Sequence, residues 1–455
     1  DLVRSRGLGD VYKRQGIFQG TVDHLEASRG YLILGEPMPK KVFDGIKVAD
    51  FSWVAVGPQT TKYLADHGAT VVRIESHTHF DLCRATTPFP KNKPSLNGSM
   101  FYGKYNANKY GASLDLNHPR GRELAWRFIK WADIVVESYR PGTMKRWGLD
   151  YESVSKVKPE IIYVSTSMQG QTGPFAGYAG VGSMIAAIAG LGEMSGWSDR
   201  MPSPPYGAYS DYFCQRFSST ALIAALDYRR RTGKGQWIEQ SQLETSIYFT
   251  APLIMDYVIN GRIAGRNGNR LFYAAPHGVY PCKGDDRWVA ITVFNDEQWQ
   301  SFCKAIGDPD WIEDERFSTL LRRKENEDEL DDLIAQRTSG LDAEKVEILM
   351  QAAGIPSSIV EKNSDLYKDS QLAHRQFYVK LEHPEMGTPA YPQQADFILS
   401  KTPREITMPS PCLGEHNEYV YKELLGMTDD EIADRIIDGS ITTALPEDFK
   451  FSEES

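Results

Sequence analysis

Apolar residues in this chain arrive in short runs, and these alternate with longer amphipathic stretches. Residues 46–52, IKVADFS, read as a buried strand, followed by the loop WVAVGP and a helix near 58–67 that ends at Gly68. ATVVRIE (69–75) gives the next strand, Asn108-Lys109 a turn, and GASLDL (111–116) a third strand. Pro119 opens the helix PRGRELAWRFIKWA, in the first turn, where its missing N–H leaves nothing unpaired. DIVVESY (133–139) and IIYVSTS (161–167) complete the series. Strands alternating with helices predict parallel pairing, an α/β class and a doubly wound sheet. Ligands then bind beyond the carboxyl ends of the strands, at loops 52–58, 75–78, 138–146 and 167–174. The first loop lacks GxGxxG, which disfavours a standard NAD site.

The second half reads differently. Residues 176–200 are rich in Gly, Ala and Met and are expected to pack tightly. GAYSDYF (207–213) leads into an apolar helix, SSTALIAALDYRRR, and after a turn QWIEQSQLETSIYF (236–249) is expected to resume helix. HGVYPC and RWVAITVF read as strands of a new unit, followed by a highly charged helical region over 310–370. ADFILS looks strand-like, PCLGEHN is a turn, and a last helix is expected near 416–426. The expected division is an extension over 1–37, a large domain over 38–264, a smaller α+β domain over 265–385, and a C-terminal segment over 386–455 returning to the large domain. Residues 1–37 show no clear periodicity, so they read as a disordered extension or an assembly artefact, with Met38 the more natural start.

Composition narrows the function classes. The net charge of -10 argues against a general nucleic-acid or membrane-surface role, and no run of eighteen apolar residues predicts a membrane span. The five cysteines form no CxxC pair and are odd in number, which points to a reducing cytoplasm. No HExxH or other tight metal spacing occurs among the histidines, so no metal site is expected.

Several residues have two readings. Asp211, before an apolar helix, is either a helix N-cap or a nucleophile or base in an apolar pocket. Asn108-Lys109 is either a polar turn or an amide and cation near phosphate. Arg140 and Arg146, at a strand's carboxyl end, are solvated or phosphate-binding. His277 packs at a strand start or donates a proton. Trp53, Tyr139 and Trp147 fill core or stack on an adenine ring.

Seven segments, in one order from about residue 44 to 425, carry a resemblance: IKVADFSWVAVGP, LADHGATVVRIE, NANKYGASLDLNHPRGRE, ADIVVESYRPGTMKRWGLDY, PPYGAYSDYF, ALDYRRRTGKGQ and CLGEHN. Together they resemble the class III coenzyme A transferases, the family of formyl-CoA and carnitine-CoA transferases. The resemblance implies a Rossmann-like large domain, a smaller domain and an interlocked homodimer. It implies Asp211 as the catalytic carboxylate, with no ATP, metal or tightly bound cofactor. An acyl-CoA and a carboxylic acid are the substrates it implies. CoA contacts carry over to Ala55 and Val56, to Leu114, Asp115, Leu116 and Asn117, to Ser138, Tyr139 and Arg140, and to Arg146. Ser76 stands where relatives often have arginine. The glycine-rich flap of the formyl enzyme is not recognisable, so NGNRLFYAAPHG is the expected closing segment. The PYGAYSDYF wording looks closer to the branch handling larger or aromatic acids, with Tyr206, Tyr209, Tyr212 and Phe213 suiting such a group. An α-methylacyl-CoA racemase pairs its Asp with a His after GPxAG; this chain reads GPFAGYAGVG, with Tyr178 instead. A non-catalytic subunit of a heteromeric transferase is the other alternative.

Overall fold

A computed structural model describes residues 41–203, 205–393, 397–446 and 449. The expected extension over 1–37, the start at Met38 and part of ADFILS lie outside the described residues.

Six strands form one sheet: β1 (Lys47–Asp50), β2 (Thr70–Glu75), β3 (Tyr110–Ser113), β4 (Ile134–Glu137), β5 (Ile162–Ser167) and β6 (Gln236–Ser241). Their order is β3-β2-β1-β4-β5-β6, all parallel. The helices that connect and cover them are α1 (Val56–Asp66), α2 (Met100–Asn106), α3 (Pro119–Trp131), α4 (Thr143–Arg146), α5 (Tyr151–Val157), α6 (Gly182–Ile188), α7 (Tyr209–Thr232) and α8 (Gln242–Asn260). Alternation along each strand divides the core between the two faces. Val48, Val71, Ile134, Val136 and Val164 pack with Leu64 of α1 and Leu222 of α7. Ala49, Val72, Val135 and Tyr163 pack on the other side with Leu124 and Phe128 of α3 and with the late residues Val420 and Tyr421.

A second core surrounds an antiparallel sheet of β7 (His277–Pro281), β8 (Trp288–Thr292) and β9 (Ser357–Ile359). Val289 and Ile291 pack there against Trp299 and Phe302 of α9 (Asp296–Ile306), Leu330 and Ile334 of α11 (Glu327–Thr338) and Val346 of α12 (Ala343–Ala352). Short α10 (Leu320–Glu325) brings buried Arg323 onto the carbonyl of Ala275 at 2.8 Å.

Five expectations need correction. QWIEQS is the strand β6, not helix, because residues after Gly235 pair with β5 over six positions. Helix begins only at Gln242, where the Ser241 hydroxyl accepts the Glu244 N–H and caps it. The third strand stops at Ser113, leaving Leu114 to Asn117 in a loop. Residues 176–200 are not tightly packed: Phe175, Tyr178, Val181, Met184 and Ile188 around α6 are each at least half exposed, because α6 buries only Gly182, Ile185 and Ala186. The helix expected near 416–426 is present, as a π-helix over Tyr419–Leu424, but it is not the last: a further helix, Asp429–Ile437, follows it. Residues 397–400, the described part of ADFILS, are not strand.

Candidate active site

Strand order reverses between β1 and β4, so the loops leaving these strands diverge and open a crevice at their carboxyl ends. Ser138, just past β4, ties the two loops: its hydroxyl accepts the Trp53 N–H at 2.7 Å and donates to the Trp53 carbonyl at 3.0 Å. Asp211 reaches this crevice from the first turn of α7. It is not the N-cap, since Ala208 holds that position and the cap has no side-chain bond. Its carboxylate faces a cavity of about 110 Å³ whose wall includes Trp53, Ala55, Val56, Ser138 and Gly182.

Two effects compete on that carboxyl. The helix N-terminus favours the anion, by up to about 2 kcal/mol in partly buried geometries. Burial opposes it and wins, pushing Asp211 up to about 7. The residue is 7% exposed, and among the described residues no cation is paired with it. The space it occupies exists because residue 182 is glycine. A Cβ there would lie 2.4 Å from Asp211 Oδ1 and 2.6 Å from Oδ2. The Ser210 hydroxyl donates to the Gly182 carbonyl at 2.9 Å, holding α6 against α7.

The loop between Trp53 and Val56 is strained. Val54 has φ 67°, a left-handed conformation that a β-branched residue rarely adopts. Asp81 holds it there: both carboxylate oxygens accept the Val54 N–H, at 3.2 and 3.0 Å. Arg73 fixes Asp81 in turn through a 2.6 Å bond, and the Cys83 thiol donates to the Val54 carbonyl at 3.3 Å. Asp81→Asn should therefore cost about 3 kcal/mol, as for other broken buried pairs. It should cost measurably less in a Val54→Gly background, where the left-handed backbone is free. Chemical denaturation of the four proteins tests this; equal costs in both backgrounds refute the clamp.

The crevice groups most of the expected residues. A neighbouring cavity of about 200 Å³ is lined by Leu114, Asp115, Leu116, Asn117 and Tyr139, with Trp53 and Trp147. Trp53 is thus a wall of both cavities. Its indole N–H is buried and has no partner among the described residues, an open donor between them. Trp53, Tyr139 and Trp147 meet edge to face, with centroids 5.6 and 5.3 Å apart. The Asp115 carboxylate accepts the Asn117 N–H at 2.8 Å and the Thr78 hydroxyl at 3.0 Å, joining the loops after β2 and β3.

Arg140 is exposed and lines a third cavity, of about 350 Å³, together with Glu137, whose carboxyl burial pushes up to about 7. Arg146 is exposed, bonds Thr143 at 3.1 Å and lies outside the walls of these three cavities.

Asn108 and Lys109 are not placed for phosphate. Lys109 is fully buried on Asp50 at 2.9 Å, and Asn108 holds the chain at Thr407 and Met408. His277 begins β7 and bonds the Asn269 carbonyl. Among the described residues no cluster of His, Cys, Asp or Glu could hold a metal ion, and no helix is long and apolar enough to cross a membrane. Gly182, Val54 and Asp81 are absent from the sequence-level candidates. Only the G-V-G step at 180–182 hints at a close approach.

The model of CoA-transferase family III matches residues 43–417. The chain is 30% identical over 396 residues to succinyl-CoA–D-citramalate CoA-transferase of Chloroflexus aurantiacus, covering 87% of this chain and 97% of that protein. It is 31% identical over 390 residues to succinate–glutarate CoA-transferase of Agrobacterium fabrum, covering 85% and 97%. A crystal structure of a CAIB/BAIF family protein from Brucella suis matches with a TM-score of 0.77 at 28% identity, over 85% of this chain and 100% of that one.

Proposed function

Because the chain belongs to CoA-transferase family III and is a transferase enzyme, we propose that it moves coenzyme A between carboxylic acids with Asp211 as nucleophile. The observation that carries this reading is the buried Asp211 carboxylate, with no cation paired to it among the described residues, at the wall of a cavity shared with Trp53.

The carboxylate attacks the thioester carbonyl of the donor. The carbon–sulfur bond breaks, CoA leaves as thiolate, and a mixed anhydride joins donor acyl group and Asp211. Thiolate then attacks the aspartyl carbonyl, the donor acid departs as carboxylate, and Asp211 becomes a CoA thioester. The acceptor carboxylate attacks that thioester, releasing thiolate and forming a second anhydride. Thiolate takes the acceptor acyl group, and Asp211 returns as carboxylate. Thioester and anhydride energies carry the sequence through. Water must be kept out, since each intermediate hydrolyses.

Trp53, Ala55, Val56 and Ser138 surround the reacting end in this reading. Leu114, Asp115, Leu116, Asn117 and Tyr139 take the distal part of CoA in the adjacent cavity, with adenine against the aromatic rings. Arg140 and Arg146 meet phosphate from the rim. The names of the two relatives pair succinate or succinyl-CoA with another dicarboxylic acid, which supports a dicarboxylate pair here. The fold is read as Rossmann-like, with 265–385 as the smaller domain. A homodimer is supported by α8, where Tyr248, Met255, Val258 and Ile259 form an apolar face more than half exposed.

The test is exchange of isotopically labelled acid into its CoA thioester by the purified protein alone, which also separates an enzyme from a subunit needing a partner. Only the ionised carboxylate attacks, so protonation at low pH removes the nucleophile. The rate kcat/KM should rise about tenfold per pH unit below the midpoint and level off above about pH 7. A profile flat from about pH 5.5 to about pH 8 contradicts the assignment.

A further inference from the structure

We propose that Lys104 binds the far carboxylate of a dicarboxylic acyl group whose near carbonyl lies at Asp211. The inference rests on the function proposed above and assigns the residue that selects its substrate class.

A cavity of about 230 Å³ lies against the first turn of α7, on the side of Tyr212 and Gln215. It lies beside the backbone that carries the nucleophile: the Gln59 side-chain amide, in its wall, donates to the Asp211 backbone carbonyl at 3.2 Å. Asp211 also lies near enough to Tyr105 and Tyr212, both in the wall, for its charge to push their phenol groups upward, in addition to burial.

The wall is cationic. It contains Lys62, Lys104, Arg216 and Arg404 and no carboxylate. Lys62 and Arg404 are already engaged, both on buried Asp66, at 2.6 and 2.8 Å. Lys104 is engaged differently. Its ammonium lies 4.7 Å from the Tyr212 ring centroid and 5.2 Å from that of Tyr105, and among the described residues no carboxylate is paired with it. Two aromatic faces hold this cation in place but leave its hydrogen-bond donors unfilled. Lys104 thus has no anion of its own among the described residues, so its end of the cavity favours an added negative charge. The Asp211 end of the site takes a carbonyl, and Lys104 supplies the complement for an acid group further along the same acyl chain.

The measurement compares glutaryl-CoA with valeryl-CoA, which differ only in the far carboxylate, as donors to propionate. Lys104→Met should lower kcat/KM for glutaryl-CoA at least about tenfold, mainly through KM, and leave valeryl-CoA unchanged; Lys104→Arg should retain most of the preference. Equal effects on both thioesters, or none on either, overturn the proposal.

A second measurement needs no turnover. Modification of Lys104 by acetic anhydride, read by peptide mass spectrometry, should be slowed by glutaryl-CoA and not by valeryl-CoA or free CoA. Equal slowing by all three assigns the cavity to a CoA phosphate and overturns the far-carboxylate role. No slowing by any ligand overturns it as well. If the protein transfers CoA from neither thioester, the labelled-acid exchange decides the proposed function, and protection by glutaryl-CoA alone still decides the role of Lys104.

Discussion

Asp211→Asn should lower CoA transfer by at least about a thousandfold while making the protein more stable above pH 7. The two effects have one cause. Burial raises the Asp211 carboxyl to about 7 in the folded chain, so ionising it there is unfavourable. Below the unfolded value, near 4, both states are protonated and the parent pays no penalty. Between about pH 4 and about pH 7 the unfolded state ionises while the folded state resists, and folding stability declines. Above about pH 7 the loss is complete, on the order of 4 kcal/mol. Asparagine carries no charge and escapes it. Thermal unfolding of parent and variant across that range should therefore show a gap that opens with rising pH. A variant that is inactive but no more stable at about pH 8 than the parent would separate the chemistry from the burial argument. A variant that transfers CoA at the parent rate would remove Asp211 from the mechanism.

Gly182→Ala should be the second most damaging change. Its methyl would lie 2.4 to 2.6 Å from three atoms of the Asp211 carboxylate, so one side must move. A displacement of about 1 Å at a nucleophile costs about a hundredfold in rate. Overpacking adds a stability cost of about 1–3 kcal/mol, larger than the helix-propensity gain of about 1 kcal/mol that alanine brings. The collision is with Asp211 itself, so the stability cost should vanish in an Asp211→Ala background. Urea unfolding of the single and double variants checks this. A cost that persists without the carboxylate would place the crowding elsewhere.

The parallel sheet was legible because strands such as IIYVSTS are short apolar runs between helices. The loops at their carboxyl ends followed from that topology, and most of the candidate residues with them. β6 was hidden because QWIEQS runs without a break into a helical stretch; only the S-x-x-E pattern at Ser241 and Glu244 marks where helix starts. The same pattern at Thr428 and Glu431 marks the final helix. Burial of Lys109 on Asp50 depends on two elements meeting in space, so its sequence neighbourhood suggested a surface turn. Val54 gives no local sign of a left-handed backbone, because the force that imposes it comes from Asp81, twenty-seven residues away. Lys104 carries meaning only where Tyr105 and Tyr212 meet around it, and those rings come from different helices.

The most direct measurement is chemical capture at Asp211. The protein is mixed with succinyl-CoA, quenched with hydroxylamine and digested, and the peptide carrying Asp211 is read by mass spectrometry. Trapping of an activated aspartyl carbonyl predicts a hydroxamate on Asp211 that appears only with the thioester and is absent from Asp211→Asn. An unmodified Asp211 peptide under conditions where the same sample transfers CoA would contradict the account.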